Sequence, residues 1–304
     1  MSLALLAGFP MAQAGASPAG TDPAQVRSLL VTIMDEKSLP VEGLTPEDVV
    51  VMENGSARDV VSLSPDRRSL TVAVLLDTSL NMGSALRLNV QGPLLSFLTS
   101  LPRDSKYALW ITGDRPIKIV DYTSDVSRAS RALNRVAPQG GNTLLDALVE
   151  ASADLKTREG ERSAVVAVTK IGIEVSSRDR YRVVDEAFAN APLFMALEIE
   201  EGAKSFESGT KESALGPEEF FRNIPPYPYV LSQLTKKTGG VYERLLSSMA
   251  VGPALQRVVA ALRAQYRLRY ATLPEIKHRK LEVRVSRPGV RVRIRPPTGD
   301  FLEE

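Results

Sequence analysis

Four apolar runs constrain this chain more than any other feature: TVAVLLD (71–77), KYALWIT (106–112), SAVVAVT (163–169) and PLFMALEI (192–199). Strands with one face in water alternate apolar and polar residues. These runs are continuously apolar, which predicts strands buried on both faces. Helix-patterned stretches lie between or beside them: ALRLNVQGPLLSFLTSL, VSRASRALNRV, TLLDALVEASADL and YRVVDEAFANA. Alternation of such strands and helices predicts a mostly parallel sheet covered on both sides. Right-handed crossovers then give a doubly wound, Rossmann-like α/β domain over residues 70–262, closing on the helix pattern ALQRVVAALRAQ (254–265).

The two ends of the chain read differently. Residues 25–66 hold the β-like runs SLLVTIMD, DVVVMENG and ARDVVSLS, with Asn54-Gly55 as a hairpin signal. Between the first two, Leu44 to Asp48 (LTPED) reads as a tight turn or a single helical turn. Residues 263–297 hold YRLRYAT, KLEVRVS and VRVRIRP, which alternate apolar with basic or polar side chains, as half-exposed strands do. From Arg263 to Arg295, eleven Lys or Arg stand against two Glu. They fall at alternate positions without a row of aromatics, which reads as a solvated sheet face and not as a nucleic-acid surface. Strands at both ends predict a small β-sandwich-like domain formed by both termini, with 298–304 as a tail.

Composition removes several chemistries. The 304 residues include no cysteine, so disulfides, thiol catalysis and thiolate metal sites are excluded. The one histidine, His278, lies in the charged stretch IKHRK and reads as a solvated turn residue. A net charge of +2 argues for no polyanionic partner. Residues 1–24 read as a signal-like or disordered leader: a short apolar run precedes Ala12-Gln13-Ala14, although the usual basic start is lacking. The expectation is a secreted or periplasmic protein without a membrane span, since no other segment approaches about 20 apolar residues.

The stretch VAVLLDTSLNMG (72–83) poses the functional question. Asp77, Ser79 and Asn81 follow a buried strand at alternate positions, where their oxygens could converge on one small site. A hard cation such as Mg²⁺ wants six oxygens, including a carboxylate. This segment resembles the D-x-S-x-S element that opens the metal-ion-dependent adhesion site of von Willebrand factor A-type domains. GGNTLLDAL (140–148) is similar to that family's GGT-type loop and helix, and SAVVAVTKIG (163–172) to its strand ending in T-D-G. VTIMDEKSLPVEGLTPEDVVVMENG (31–55), LTKKTGGVYE (234–243), LRAQYRLRY (262–270) and RPGVRVRIRP (287–296) resemble a bacterial secreted subfamily first recognised in acidobacteria. The resemblance covers about residues 27–297.

Departures from the family pattern decide what the resemblance implies. Asn81 stands where the first motif ends in serine, and Asn142 where the threonine ligand falls, with Thr143 one position late. Lys170 stands where T-D-G has its aspartate. An ammonium offers three donors and no acceptor, and at an effective dielectric of about 20 it repels a nearby dication by several kcal/mol. Mg²⁺ is therefore expected in relatives and no cofactor is expected here; Asp77, Ser79, Asn81, Asn142, Thr143 and Lys170 form a degenerate site. Two readings of Asp77 stay open. Either its carboxylate pairs with the Lys170 ammonium, or it caps a helix beginning near Met82 by accepting backbone N–H bonds while Lys170 reaches solvent.

No catalytic residues are assigned, because the chain lacks a G-x-S-x-G elbow, a phosphate-cradling loop and a histidine base placed for a triad. The polar stretch 198–229 reads as a long loop on the carboxyl edge, with Glu200-Glu201 and Glu218-Glu219 as solvating charge. Phe220 and Phe221 read as packing back onto the domain. Ser79, Lys170, Tyr227 and Tyr229 are the partner-contact candidates. The expected function is a non-enzymatic module that binds a protein partner, independent of metal. The alternatives are a structural subunit of an envelope or multiprotein assembly and, more distantly, an enzyme.

Overall fold

The structure is a computed structural model and describes residues 25–157, 162–189, 192–201, 227–272 and 279–295. Four strands open the chain: β1 (Gln25–Met34), β2 (Val49–Glu53), β3 (Ser56–Arg58) and β4 (Val60–Pro65). The next six build the central sheet: β5 (Leu70–Leu76), β6 (Lys106–Thr112), β7 (Pro116–Thr123), β8 (Arg162–Lys170), β9 (Leu193–Ile199) and β10 (Val241–Leu245). Their spatial order is β10-β9-β8-β5-β6-β7, parallel throughout except for β7, which runs antiparallel to β6.

β5 lies inside this sheet and every one of its residues is buried. Val72, Val74 and Leu76 join a core with α1 (Gln91–Thr99), α2 (Val126–Leu133) and α6 (Val251–Arg263). Ala73 and Leu75 join a second core with α3 (Leu144–Lys156), α4 (Arg180–Phe188) and α5 (Tyr227–Thr238). A strand with a core on each face favours apolar side chains at every position, and Thr71 is the one polar residue within β5. All four apolar runs are strands of this doubly wound sheet.

Several elements differ from expectation. The helix expected near Met82 is a 3₁₀ turn (Leu80–Met82), then a π-helical turn (Leu86–Val90), and regular α-helix begins only at Gln91. Pro93 lacks the N–H that would return to Asn89, so a wider turn there loses nothing. β7 and β10 go unpredicted because each is an edge strand with a single fully buried residue. The stretch 198–229 is not one loop: Glu198 and Ile199 end β9, and Tyr227 opens α5. Residues 202–226, with Glu218, Glu219, Phe220 and Phe221, lie outside the described residues, as do the leader 1–24 and His278.

The terminal strands pair with one another. β11 (Gln265–Thr272) and β13 (Arg291–Arg295) flank β1 in a four-stranded antiparallel sheet, β13-β1-β11-β4. β12 (Leu281–Val285) pairs with β2 in a three-stranded sheet, β12-β2-β3. Asn54 (φ 50°) and Gly55 (φ 80°) turn β2 into β3, as a two-residue hairpin of left-handed residues requires. Leu29, Val31 and Ile33 of β1, Val51 of β2, and Leu268 and Tyr270 of β11 share one core. Among the described residues no helix is long and apolar enough to cross a membrane.

Glu53, fully buried, fastens these strands. It takes Arg58 Nε at 2.8 Å and Thr272 Oγ1 at 2.6 Å, and it pairs with Arg279 Nε at 3.0 Å. Tyr270 Oη donates to it at 3.3 Å, and burial together with the Glu53 charge pushes that hydroxyl up to about 12, so it stays a donor. At the junction with the central sheet, buried Arg162 at the start of β8 donates to the carbonyls of Arg68 and Leu262 and to Gln265 Oε1, each at 3.1 Å. Glu53→Ala strands the Arg279 guanidinium, which is 2% exposed. The expected loss is about 3–5 kcal/mol in urea denaturation, whereas Arg284→Ala on the exposed face stays within about 0.5 kcal/mol.

Candidate functional site

β5 drives Asp77 to the carboxyl edge of the sheet, where it is 0% exposed. Its N–H still pairs with the Val168 carbonyl at 2.9 Å, so it is held as firmly as the strand before it. Oδ1 accepts the Ser79 N–H at 2.8 Å. Oδ2 accepts Asn142 Nδ2 at 2.9 Å, the Lys170 N–H at 3.0 Å and Thr169 Oγ1 at 3.1 Å. Every one of these donors is neutral. Burial pushes the Asp77 carboxyl up, and the N–H groups of Lys170 and Ser79 with the hydroxyls of Ser79 and Thr169 counter it only in part.

The Lys170 ammonium is not among these partners; only its backbone touches Asp77. Its side chain is half-buried, and its charge helps the Ser248 hydroxyl and N–H hold the Glu201 carboxyl down. The pairing of Lys170 with Asp77 is therefore not the arrangement found. Asp77 instead accepts backbone N–H bonds, as in the capping alternative, and fixes the start of the 3₁₀ turn in place of a long helix. Glu200 and Glu201 are bonded too, Glu200 to Arg244 and Glu201 to Ser248, which is more than solvating charge.

Asn142 stands just before α3 and is the hub. Thr112 Oγ1, at the end of β6, donates to its Oδ1 at 2.6 Å. With a carboxylate on the other side, the amide has to turn its NH₂ toward Asp77. Its backbone pairs with Ile173 and Val175, at 3.0 and 2.8 Å, which ties in the loop after β8. Thr143, one position on, is 3% exposed and its hydroxyl donates to the Gly113 carbonyl at 3.1 Å. Asn81 is exposed and donates its amide N–H to the Ile171 carbonyl. Gly172 makes room for it: a Cβ there would lie 2.6 Å from Asn81 Nδ2. Ser79 is 3% exposed, which leaves it little surface for a partner.

Asp146, in the first turn of α3, escaped the sequence reading. It accepts the N–H groups of Ser177 and Arg178 at 2.9 and 3.2 Å and Arg178 Nη1 at 3.0 Å, anchoring the loop between β8 and α4. Thr143-Leu144-Leu145-Asp146 carries the T-x-x-D capping signature that could have drawn attention to it. Tyr229 on α5 is 41% exposed and meets the ring of Tyr181 on α4 edge-on, with centroids 5.4 Å apart.

An A-type site implies a divalent cation, and this donor set fits one poorly. Six oxygens are needed. Both Asp77 oxygens already accept N–H or O–H donors, Asn142 turns nitrogen inward, and the Lys170 side chain has no oxygen to give. Among the described residues no group of three or more His, Cys, Asp or Glu could hold a metal.

The family model of the von Willebrand factor type A domain matches residues 72–170. No curated protein matches significantly. Among solved structures, the chain is similar to the conserved hypothetical protein BatB of Bacteroides thetaiotaomicron (17% identity, 63% of this chain and 98% of that one, TM-score 0.46). It is also similar to a von Willebrand factor type A protein of Catenulispora acidiphila (9% identity, 91% and 74%, TM-score 0.49). A third is the vWF domain of the type V pili tip protein Mfa5 of Porphyromonas gingivalis (17% identity, 35% and 39%, TM-score 0.33).

The raised Asp77 has a definite pH signature. Its native state holds the proton more tightly than the unfolded chain, so this contribution is fully present below the ordinary aspartate value of about 3.9 and is lost as pH rises through the higher native value. Between about pH 4 and pH 7 the wild-type chain should therefore lose stability relative to Asp77→Asn, measured by paired urea denaturation. A gap between the two proteins that is constant with pH would show that Asp77 ionises as freely folded as unfolded.

Proposed function

We propose that this chain is a non-enzymatic protein-interaction module that presents the carboxyl edge of its central sheet to a partner without a bridging cation. The observation that carries the reading is the Asp77 shell. A carboxylate whose lone pairs serve Ser79, Asn142, Thr169 and Lys170 is a structural clamp, no longer a ligand waiting for metal. In metal-bearing relatives the cation takes up a partner's carboxylate; at this edge the Lys170 ammonium offers that charge directly. Leu80 (68% exposed) and Ile173 (68% exposed), on the loops after β5 and β8, supply apolar surface beside it, as the anchors of a protein contact do. Tyr229 (41% exposed) extends the same edge along α5. We place the module outside the cytoplasm, on the leader-like pattern of residues 1–24.

Titration of Mg²⁺ and Mn²⁺ by calorimetry tests the metal-free edge. Flat heats are expected to millimolar concentration for the native chain, and binding only when Lys170→Asp is combined with Asn142→Thr and Asn81→Ser, which restores the oxygens. Binding by the native chain would return metal-dependent adhesion to first place. Capture of a protein partner should be insensitive to chelator and lost in Lys170→Glu; a partner held equally by that variant would place the contact elsewhere.

A further inference from the structure

A second surface lies between β7 and α2 and meets the carboxyl edge only at its Gln139 end, where the Gln139 N–H donates to the Thr78 carbonyl at 2.8 Å. Ile111 of β6, Ile119 of β7, and Ala132 and Val136 line a depression of about 350 Å³. It continues at both ends: Ile119, Ala132 and Arg135 border the next hollow in one direction, and Ile111 and Gln139 the next in the other. The result is one groove with an aliphatic floor running beside the edge strand of the sheet.

One wall is strongly basic. Arg128 and Arg131 lie three residues apart on one face of α2, Arg135 follows in the turn just after the helix, and all three are exposed. Arg131 leans on Ser127 Oγ at 2.8 Å and is 4.0 Å from Asp125. Among the described residues Arg128 and Arg135 have no carboxylate at ion-pair distance. Arg115 closes the far end. Against these four guanidinium groups stand Asp114 and Asp121, and Asp121 already pairs with Lys118 at 3.2 Å. The arginines do not serve the fold: α2 is held by its buried Ala129 and Leu133, and the turn after it by buried Val136.

We infer that this groove docks an acidic segment of a partner protein, its carboxylates on the arginine wall and its apolar side chains on the aliphatic floor. Guanidinium groups match carboxylates in two-point geometry, and a row of them fixes the register of an acidic chain. Nucleic acid fits less well: the floor has no aromatic ring for a base to stack on, and two aspartates stand in the walls.

The test uses the full chain and a fluorescein-labelled peptide of about twelve residues in which Glu alternates with Val, followed by anisotropy in low salt. Saturable binding is expected, at least tenfold weaker for the peptide with Gln in place of Glu. The loss should be about as large for the Arg128→Glu, Arg135→Glu double variant, with Arg128→Gln, Arg135→Gln as the milder pair should the first fail to fold. Lys170→Ala should bind as the native chain does, which separates this surface from the carboxyl edge. The inference is overturned by absence of binding, by equal affinity for the Gln peptide, by indifference to the double variant, or by tighter binding of an oligothymidylate of similar length.

Discussion

The hydrogen bonds that converge on Asp77 hold four segments in one arrangement. Ser79 belongs to the turn after β5, Asn142 to the start of α3, and Thr169 and Lys170 to the end of β8, while Asn142 reaches on to Thr112 of β6. A buried carboxylate needs donors, and a cation is the cheapest single source of compensation. Here the compensation is spread over neutral groups. Each is weaker than an ion, yet together they knit the loops of the carboxyl edge to one another, and Asp146 repeats the device one helical turn further on by clamping Ser177 and Arg178.

Three buried acids in this chain meet the same physical problem in different ways. Glu53 is answered by Arg58 and Arg279, so charge meets charge where both ends of the chain come together. Asp77 is answered by neutral donors alone. Glu198, buried near the end of β9, is pushed up by burial and receives the Tyr242 hydroxyl from β10, with Arg244 3.8 Å away. Glu53 lies where strands from distant parts of the sequence must be held in register, whereas the arginine-paired Asp146 holds a loop. The neutral-donor acid lies where loops must keep a shape.

The two proposed surfaces differ in kind. The carboxyl edge is a product of topology: parallel strands deliver all their following loops to one end, and Lys170 is the charge left half-exposed there. The groove beside α2 is a product of the antiparallel strand β7, which extends the sheet past the last parallel strand and leaves a helix only partly covering it. A module with both could engage one partner at two points or two partners at once, with avidity set by their spacing.

Much of this was written in local pattern. Unbroken apolar runs are possible only for strands buried on both faces, so TVAVLLD and SAVVAVT announced the parallel sheet, and Asn54-Gly55 announced its hairpin because few other pairs accept two positive φ angles. That Lys170 offers no ligand oxygen was likewise legible, because a lysine side chain has no oxygen whatever its setting. Edge strands were not legible: β7 and β10 are half-exposed, and their strand character comes from the neighbour they pair with. Nor could the sequence decide what Asp77 does. The direction of the Asn142 amide, the distance between the Lys170 ammonium and the carboxylate, and the reach of Thr112 and Thr169 all depend on how β5, β6 and β8 stack side by side. Composition and spacing determined which groups were available at this edge; only tertiary packing decided which of them touch, because hydrogen bonds act over about 3 Å and the residues concerned lie up to 93 positions apart.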